Sequence, residues 1–239
     1  NMTRFSASSL QEYEYCPRRY FYQAVARLTL PEEAGPETVS QLPATEIGHV
    51  VHSTLEKYDG FNLEEVYGAA VREFAGGNFK LAQPARQLLD AYLDSDLFLN
   101  FASLPRTTEY AFQLPLLADQ ERAYVITGSV DAIIYNEDGS LSIVDYKTGQ
   151  PPADGAPKVG YAYQLALYQL AVEQKFNRPV RQAALHFLQN KQAWVLPQRD
   201  YREVMTALCR EIALKKDEAE FAPDLTKCAY CPYNQLCRR

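Results

Sequence analysis

The sequence predicts an α/β fold, a central mixed sheet flanked by helices. Three observations carry this reading. Two apolar runs, Val130 to Tyr135 and Leu141 to Val144, flank Asn136-Glu137-Asp138-Gly139, and the Asp-Gly pair marks a β-hairpin because glycine accepts the positive φ such turns need. A β-prone segment, Arg106 to Leu117, alternates just ahead of that hairpin. Helical periodicity brackets these strands, at Ala44 to Tyr58 and at Tyr161 to Lys175. With 239 residues, 47% of them apolar, the chain can bury one substantial core but has little room for a second. A single domain over 1–239 is expected, its central part running from about 44 to 198.

Each element has a local reason. Near the N-terminus, Ser8 or Ser9 ahead of Leu10 is a candidate helix N-cap, with Leu10, Tyr13 and Phe21 near helical spacing and Pro17 marking a break or a second start. Residues 28–43, rich in Pro, Glu, Gly and Ser, read as a loop. Ile47, Val50, Val51, Leu55 and Tyr58 then outline the buried face of a helix, and His52 lies about 100° round it from Val51, with Glu56 one turn further on the same side.

The segment 62–101 reads as helical, with Pro84 at a helix start. The strand 106–117 leads through a charged turn at 119–122 into Tyr124 to Tyr135. A Pro/Gly-rich loop, 150–160, follows the hairpin. In the next helix Gln164 and Tyr168 share a face, while Leu165, Leu167, Ala171 and Val172 supply packing. Ala183 to Leu188 and Trp194 to Leu196 read as two further strands. Tyr201, Val204, Met205, Leu208, Cys209 and Ile212 form one stripe of a last helix, Asp200 to Glu218, where Cys209 serves as a small hydrophobe.

Chemistry concentrates on the hairpin. Asp145 and Lys147 are two apart on a strand and so project together, and antiparallel pairing can bring Asp131 beside them. Clustered carboxylates repel unless a positive charge lies between them, and oxygen ligands suit a hard divalent cation such as Mg2+ or Mn2+. The lysine can orient an attacking water or neutralise charge growing on a phosphate. A solvated hairpin with ordinary surface charges is the bland alternative.

The C-terminal Cys228, Cys231 and Cys237 give C-x2-C-x5-C, a spacing that lets three thiolates converge. A fourth ligand is then needed, and Cys16 is the cysteine left outside the helix stripe. By donor type the four hold zinc or an iron-sulfur cluster equally well.

The formal charge of -6 argues against wholesale coating of nucleic acid but leaves room for a local basic groove, for which Arg18, Arg19 and Lys158 are candidates. No apolar run approaches the ~20 residues that span a bilayer, and no signal-peptide pattern opens the sequence. A cytoplasmic protein without a membrane partner is expected.

Taken in order, these motifs resemble the PD-(D/E)XK nuclease superfamily, most closely its RecB-like branch. Gly128-Ser129-Val130-Asp131 and Asp145-Tyr146-Lys147-Thr148-Gly149 are similar to the two halves of that branch's active-site hairpin, G-x-[VI]-D and D-[YF]-K-T-G. Gly48 to Glu56 resembles G-x-x-x-H-x-x-L-E, which assigns a metal-ligand role to His52 and none to His49. Gln164 and Tyr168 match Q-x-x-x-Y, a pair implied to contact nucleic acid or hold the active site. Glu109 falls where relatives carry a glutamate, with a surface strand residue as the equal alternative.

The opening block with Cys16-Pro17, joined to the three late cysteines, is similar to the AddB-type subunits and the CRISPR-associated RecB-like exonucleases, whose four cysteines bind a [4Fe-4S] cluster. The resemblance implies a restriction-endonuclease-like αβββαβ core with a terminal four-cysteine iron-sulfur staple, structural Zn2+ being the alternative. It implies metal-dependent hydrolysis of DNA phosphodiesters, as an exonuclease on single-stranded ends, in DNA repair, recombination or end processing alongside a helicase partner or parent chain. Catalysis would fall to Asp131, Asp145 and Lys147, with His52, Asp131 and Asp145 holding Mg2+ or Mn2+. No Walker A sequence is present, so any unwinding must come from elsewhere. A catalytically inactive DNA-binding or scaffold module is the alternative function.

Overall fold

The computed structural model describes residues 2–29, 42–117, 122–151, 159–218 and 220–237. The loops expected at 28–43, 119–122 and 150–160 lie largely outside these, and Lys158 lies outside them altogether.

A short strand not expected from the sequence, β1 (Met2–Ser6), opens the fold. It is followed by α1 (Ala7–Tyr15), α2 (Pro17–Tyr20) and a π-helical turn over Phe21–Val25. The N-cap of α1 is Ser6, not Ser8 or Ser9. The Ser6 Oγ accepts the Ser9 N–H at 3.0 Å and Ser9 Oγ accepts the Ser6 N–H at 3.1 Å, a reciprocal capping box that draws Ser8 and Ser9 into the first turn. Pro17 begins the second helix, as its fixed φ and missing N–H favour.

Four helices follow: α3 (Ala44–Lys57), α4 (Leu63–Phe74), α5 (Gln83–Leu93) and α6 (Asp96–Leu99). Then come β2 (Arg106–Leu117), β3 (Ala123–Tyr135), β4 (Leu141–Lys147), α7 (Val159–Phe176), β5 (Val180–Phe187), β6 (Gln192–Val195) and α8 (Arg202–Glu218), with a 3-10 segment at Leu225–Tyr230 near the C-terminus. The order α3-β2-β3-β4-α7-β5 is the αβββαβ core, with α4 to α6 inserted after its first helix.

The sheet is mixed. The β1–β3 and β4–β5 pairs are parallel, and β2–β3, β3–β4 and β5–β6 are antiparallel. It separates two cores. One face packs Val130, Ile133 and Ile143 against α1, α7 and α8 through Leu10, Leu165 and Cys209. The other packs Ala132, Ile134, Val144 and Tyr146 against α3, α4 and α5 through Val51, Val71 and Leu89. Burying both faces explains why β4 and β5 are nearly continuous buried runs, whereas β2 alternates.

Strand β3 switches sides within its length. Tyr124, Ile126 and Val130 face the α7 side, yet from Ala132 onward the even-numbered residues face the α3 side and Ile133 faces α7. Asp131 sits at the switch. Glycines permit two close approaches nearby: a Cβ on Gly128 would stand 2.8 Å from the Phe112 ring, and one on Gly160 would stand 3.1 Å from Gln11 Cα, where α7 crosses α1.

Candidate active site and cysteine pocket

Strand pairing creates the cleft. Strand β2 runs along one edge of β3, while β1 (whose last pair is Ser6–Thr127) and β4 (whose pairing starts at Val144–Ala132) share the other. Between them Gly128, Ser129, Val130 and Asp131 have no ladder partner on that edge among the described residues. The Asp131 side chain bridges the split, its Oδ2 accepting the Tyr146 N–H at 2.8 Å. A backbone donor that β3 no longer satisfies is thereby paired with a carboxylate.

Three side chains converge there. Ligand atoms of His52, Glu109 and Asp131 all lie within 4.8 Å of one another. His52 Nδ1 is 3.4 Å from Asp131 Oδ2. Glu109 is skipped by the β2–β3 register, lying between the pairs Thr108–Ala132 and Tyr110–Val130, and has a φ of 45°. Its Oε2 accepts the Ser129 hydroxyl at 3.0 Å. A left-handed glutamate in a strand is strained, and the irregularity aims its carboxylate into the cleft from the strand across from Asp131.

The electrostatics fit a cation. Burial holds His52 below the usual histidine range, with the Asp145 charge pulling the other way, so the imidazole keeps a lone pair free at neutral pH. Burial first, and the Asp145 charge second, raise Asp131 well above the ordinary aspartate value, against the Tyr146 N–H and Lys147. Partial desolvation raises Glu109 as well, against its bond from Ser129. Two carboxylates whose pKa values are raised, beside an imidazole whose pKa is lowered, make a site that a divalent ion's positive charge would suit.

Asp145 and Lys147 occupy the α7 side of this cleft. Asp145 is 1% exposed. Its Oδ2 lies 2.6 Å from Lys147 Nζ and takes no other donor among the described residues. Lys147 Nζ also donates to Gln164 Oε1 at 3.3 Å, and Gln164 Nε2 donates to the Tyr168 hydroxyl at 2.8 Å. Burial pulls the lysine's pKa down, but the Asp145 carboxylate outweighs it and the net shift is upward, so Lys147 remains an ammonium. Burial pushes the Tyr168 hydroxyl far up, with the Asp145 and Asp131 charges adding to it, so it stays neutral.

The structure thus brings together every hairpin, histidine and α7 residue singled out in the sequence. Its tightest ligand set contains Glu109 where the sequence reading placed Asp145. One neighbour was missed: the Tyr161 ring lies 4.8 Å from Lys147 Nζ. Its only sequence signal is its place one position short of a full turn before Gln164, on the first turn of α7.

Cys16, Cys228, Cys231 and Cys237 line one small pocket, together with Arg18, Arg19 and Lys227. All are free thiols, and the Asp224 N–H donates to Cys16 Sγ at 3.3 Å. Cys209 is apart in the core, its thiol pushed up to about 12 by burial.

Arg18 and Arg19, candidates for the phosphate backbone, each make a contact within the chain. Arg18 Nε donates to the Phe221 carbonyl at 2.5 Å and Arg19 Nε pairs with Glu12 Oε2 at 2.6 Å. The Arg18 bond joins the N- and C-terminal segments, helped by the Tyr233 hydroxyl donating to the Leu28 carbonyl at 3.1 Å.

A cleft with these carboxylates, histidine and lysine, on a mixed sheet with this strand order, defines a class. The family model of the PD-(D/E)XK nuclease superfamily matches residues 4–238, and the chain belongs to that superfamily. It is 39% identical over 75 residues, 31% of its length, to an ATP-dependent helicase/nuclease subunit of Moorella thermoacetica. It is 27% identical over 121 residues, 47% of its length, to Gene 69 protein of Mycobacterium phage L5. The matched stretches span 5% and 39% of these two relatives.

Two solved structures share the fold. A candidate exonuclease from Eubacterium rectale superposes with a TM-score of 0.59 at 14% identity, over 98% of this chain and 88% of the other. The protein SSO0001 superposes with a TM-score of 0.53 at 18% identity, over 99% of this chain and 86% of the other. Among the described residues no helix is long and apolar enough to cross a membrane.

Proposed function

We propose that this chain is a RecB-like, divalent-metal-dependent deoxyribonuclease that removes nucleotides from single-stranded DNA ends beside a helicase. The observation that carries the nuclease reading is the convergence of His52, Glu109 and Asp131 within 4.8 Å, beside a buried Asp145–Lys147 pair. The local identity to a helicase/nuclease subunit supports the working context, as a separate partner or as part of one longer chain. The unit proposed is a single domain over 1–239, with its nuclease core at about 44–198.

His52, Asp131 and Glu109 would hold Mg2+ or Mn2+, with Asp145 close enough to share in the charge balance. When bound, the ion would polarise a phosphodiester and acidify a water. The chain's own residues do the rest. Lys147 offers an ammonium held by Asp145 and Gln164, able to orient the water or to stabilise charge growing on the phosphoryl oxygens. Gln164 and Tyr168 keep that lysine from swinging away, and the buried wall beneath Asp145 strengthens each of these interactions.

The four cysteines are proposed to hold a [4Fe-4S] cluster. The four line one pocket, which suits a shared centre, and the likeness of their layout to iron-sulfur relatives favours the cluster over zinc.

The test is cleavage of end-labelled single-stranded DNA with Mg2+ or Mn2+, beside Asp131→Ala and Lys147→Ala. Metal-dependent shortening by the intact chain, absent in both variants, is expected. No cutting under any metal condition would leave the inactive scaffold module as the better reading. Broad visible absorption and iron in an anaerobic preparation are expected of the cluster, whereas zinc without colour refutes it.

A further inference from the structure

Beneath the cleft lies a buried polar chain that the proposed reaction does not use. Tyr146 separates Asp145 from Lys147 and points to the opposite face of the sheet, into the α3–α5 core. It touches two members of the candidate metal set: its N–H is held by Asp131 Oδ2 at 2.8 Å, and its ring meets the His52 ring at 6.1 Å. Any tilt of Tyr146 therefore moves both ligands.

The Tyr146 side chain is pinned in turn. Its ring packs edge to face against that of Tyr92, on α5, with centroids 5.6 Å apart. The Tyr92 hydroxyl is 2.8 Å from His186 Nδ1, and His186 is the β5 residue paired with Tyr146 in the β4–β5 ladder. Tyr92 is 0% exposed and His186 4%. The Tyr92 and His186 rings also meet edge to face, at 5.9 Å. One helix and two strands are thus closed into a loop of contacts ending at His52 and Asp131.

Apolar side chains would pack such a core without the cost of burying polar groups, whereas a fully paired polar network fixes one geometry and penalises slippage. We propose that Tyr92 is a positioning residue for the metal site, acting with His186 through Tyr146 to hold the end of β4, so that Asp131 and His52 present their ligand atoms at a fixed spacing. This rests on the metal-dependent reading above.

The test is Mn2+ binding to the full chain without DNA, followed by electron paramagnetic resonance, with melting curves for each variant. Tyr92→Phe and His186→Phe break the Tyr92–His186 bond from its two ends and keep a ring at each position. Each is expected to weaken Mn2+ binding about tenfold, the scale for residues that orient metal ligands. The double variant is expected to be no weaker than either single one, because one link is broken in all three. Tyr67→Phe is the control, since its buried hydroxyl donates to the Ala82 carbonyl at 3.1 Å in the same helical layer without reaching Tyr146. It is expected to lower the melting temperature and leave Mn2+ binding unchanged.

Wild-type affinity in both Tyr92→Phe and His186→Phe, or an equal loss in Tyr67→Phe, overturns the positioning role while the metal site stands. A wild-type chain that binds no Mn2+ overturns both.

Discussion

Glu109 stands across the β2–β3 ladder from Asp131 with a φ of 45°, in the one place where the register of the two strands is interrupted. The strain and the convergence with His52 occur at the same residue. A regular strand would turn this carboxylate along the pleat, so a backbone cost is spent to bring it into the cleft.

That cost is measurable. A left-handed non-glycine residue is disfavoured by about 1–2 kcal/mol, partly offset in glycine by chain entropy. Glu109→Gly is therefore expected to be about 1 kcal/mol more stable than Glu109→Ala in urea melts, while both lose divalent-ion affinity. Equal stability of the two variants would show that the backbone there is unstrained.

The Asp145–Lys147 pair predicts a second pattern. Both groups are largely buried and 2.6 Å apart, so removing one leaves the other's charge in a poor solvent. Lys147→Met or Asp145→Asn alone is expected to cost about 3–5 kcal/mol. The combined Asp145→Asn, Lys147→Met chain should recover much of that stability in denaturant titrations and none of the cleavage.

His186 sets an acid limb. Burial depresses its pKa from 6.5 to about 4. The unfolded chain therefore binds a proton more readily than the folded one between these values. The contribution is intact above pH 6.5, declines as pH falls, and is fully lost below about pH 4. Its span is about 3 kcal/mol, and His186→Gln should flatten this part of the stability profile in chemical denaturation at stepped pH.

The glycines at either end of the loop after β4 should behave differently. A Cβ at Gly160 meets Gln11 Cα at 3.1 Å, whereas one at Gly149 meets nothing within 4 Å. Gly160→Ala is expected to destabilise by about 1–3 kcal/mol by pushing α7 off α1. Gly149→Ala should melt with the wild type.

Much of the site was legible because it depends on local spacing. Asp145 and Lys147 share a strand face, Gln164 and Tyr168 share a helix face, and these periodicities hold wherever the elements form. Other features were not. Strand β1 carries a single fully buried residue, Phe5, and exists because β3 offers it an edge. Ser6 outcompetes Ser8 and Ser9 as the cap because β1 ends there.

The amino-acid sequence by itself determined the hairpin, the flanking helices, the superfamily and the residue types available to a metal, since each follows from periodicity or from short motifs. The tertiary structure decided what those patterns left open. It brought Glu109, which the sequence left equally a surface residue, into the ligand set through a backbone irregularity, and engaged Arg18 and Arg19 beside the cysteine pocket. Those outcomes depend on where strands split and how helices stack, which long-range packing sets and no local pattern encodes.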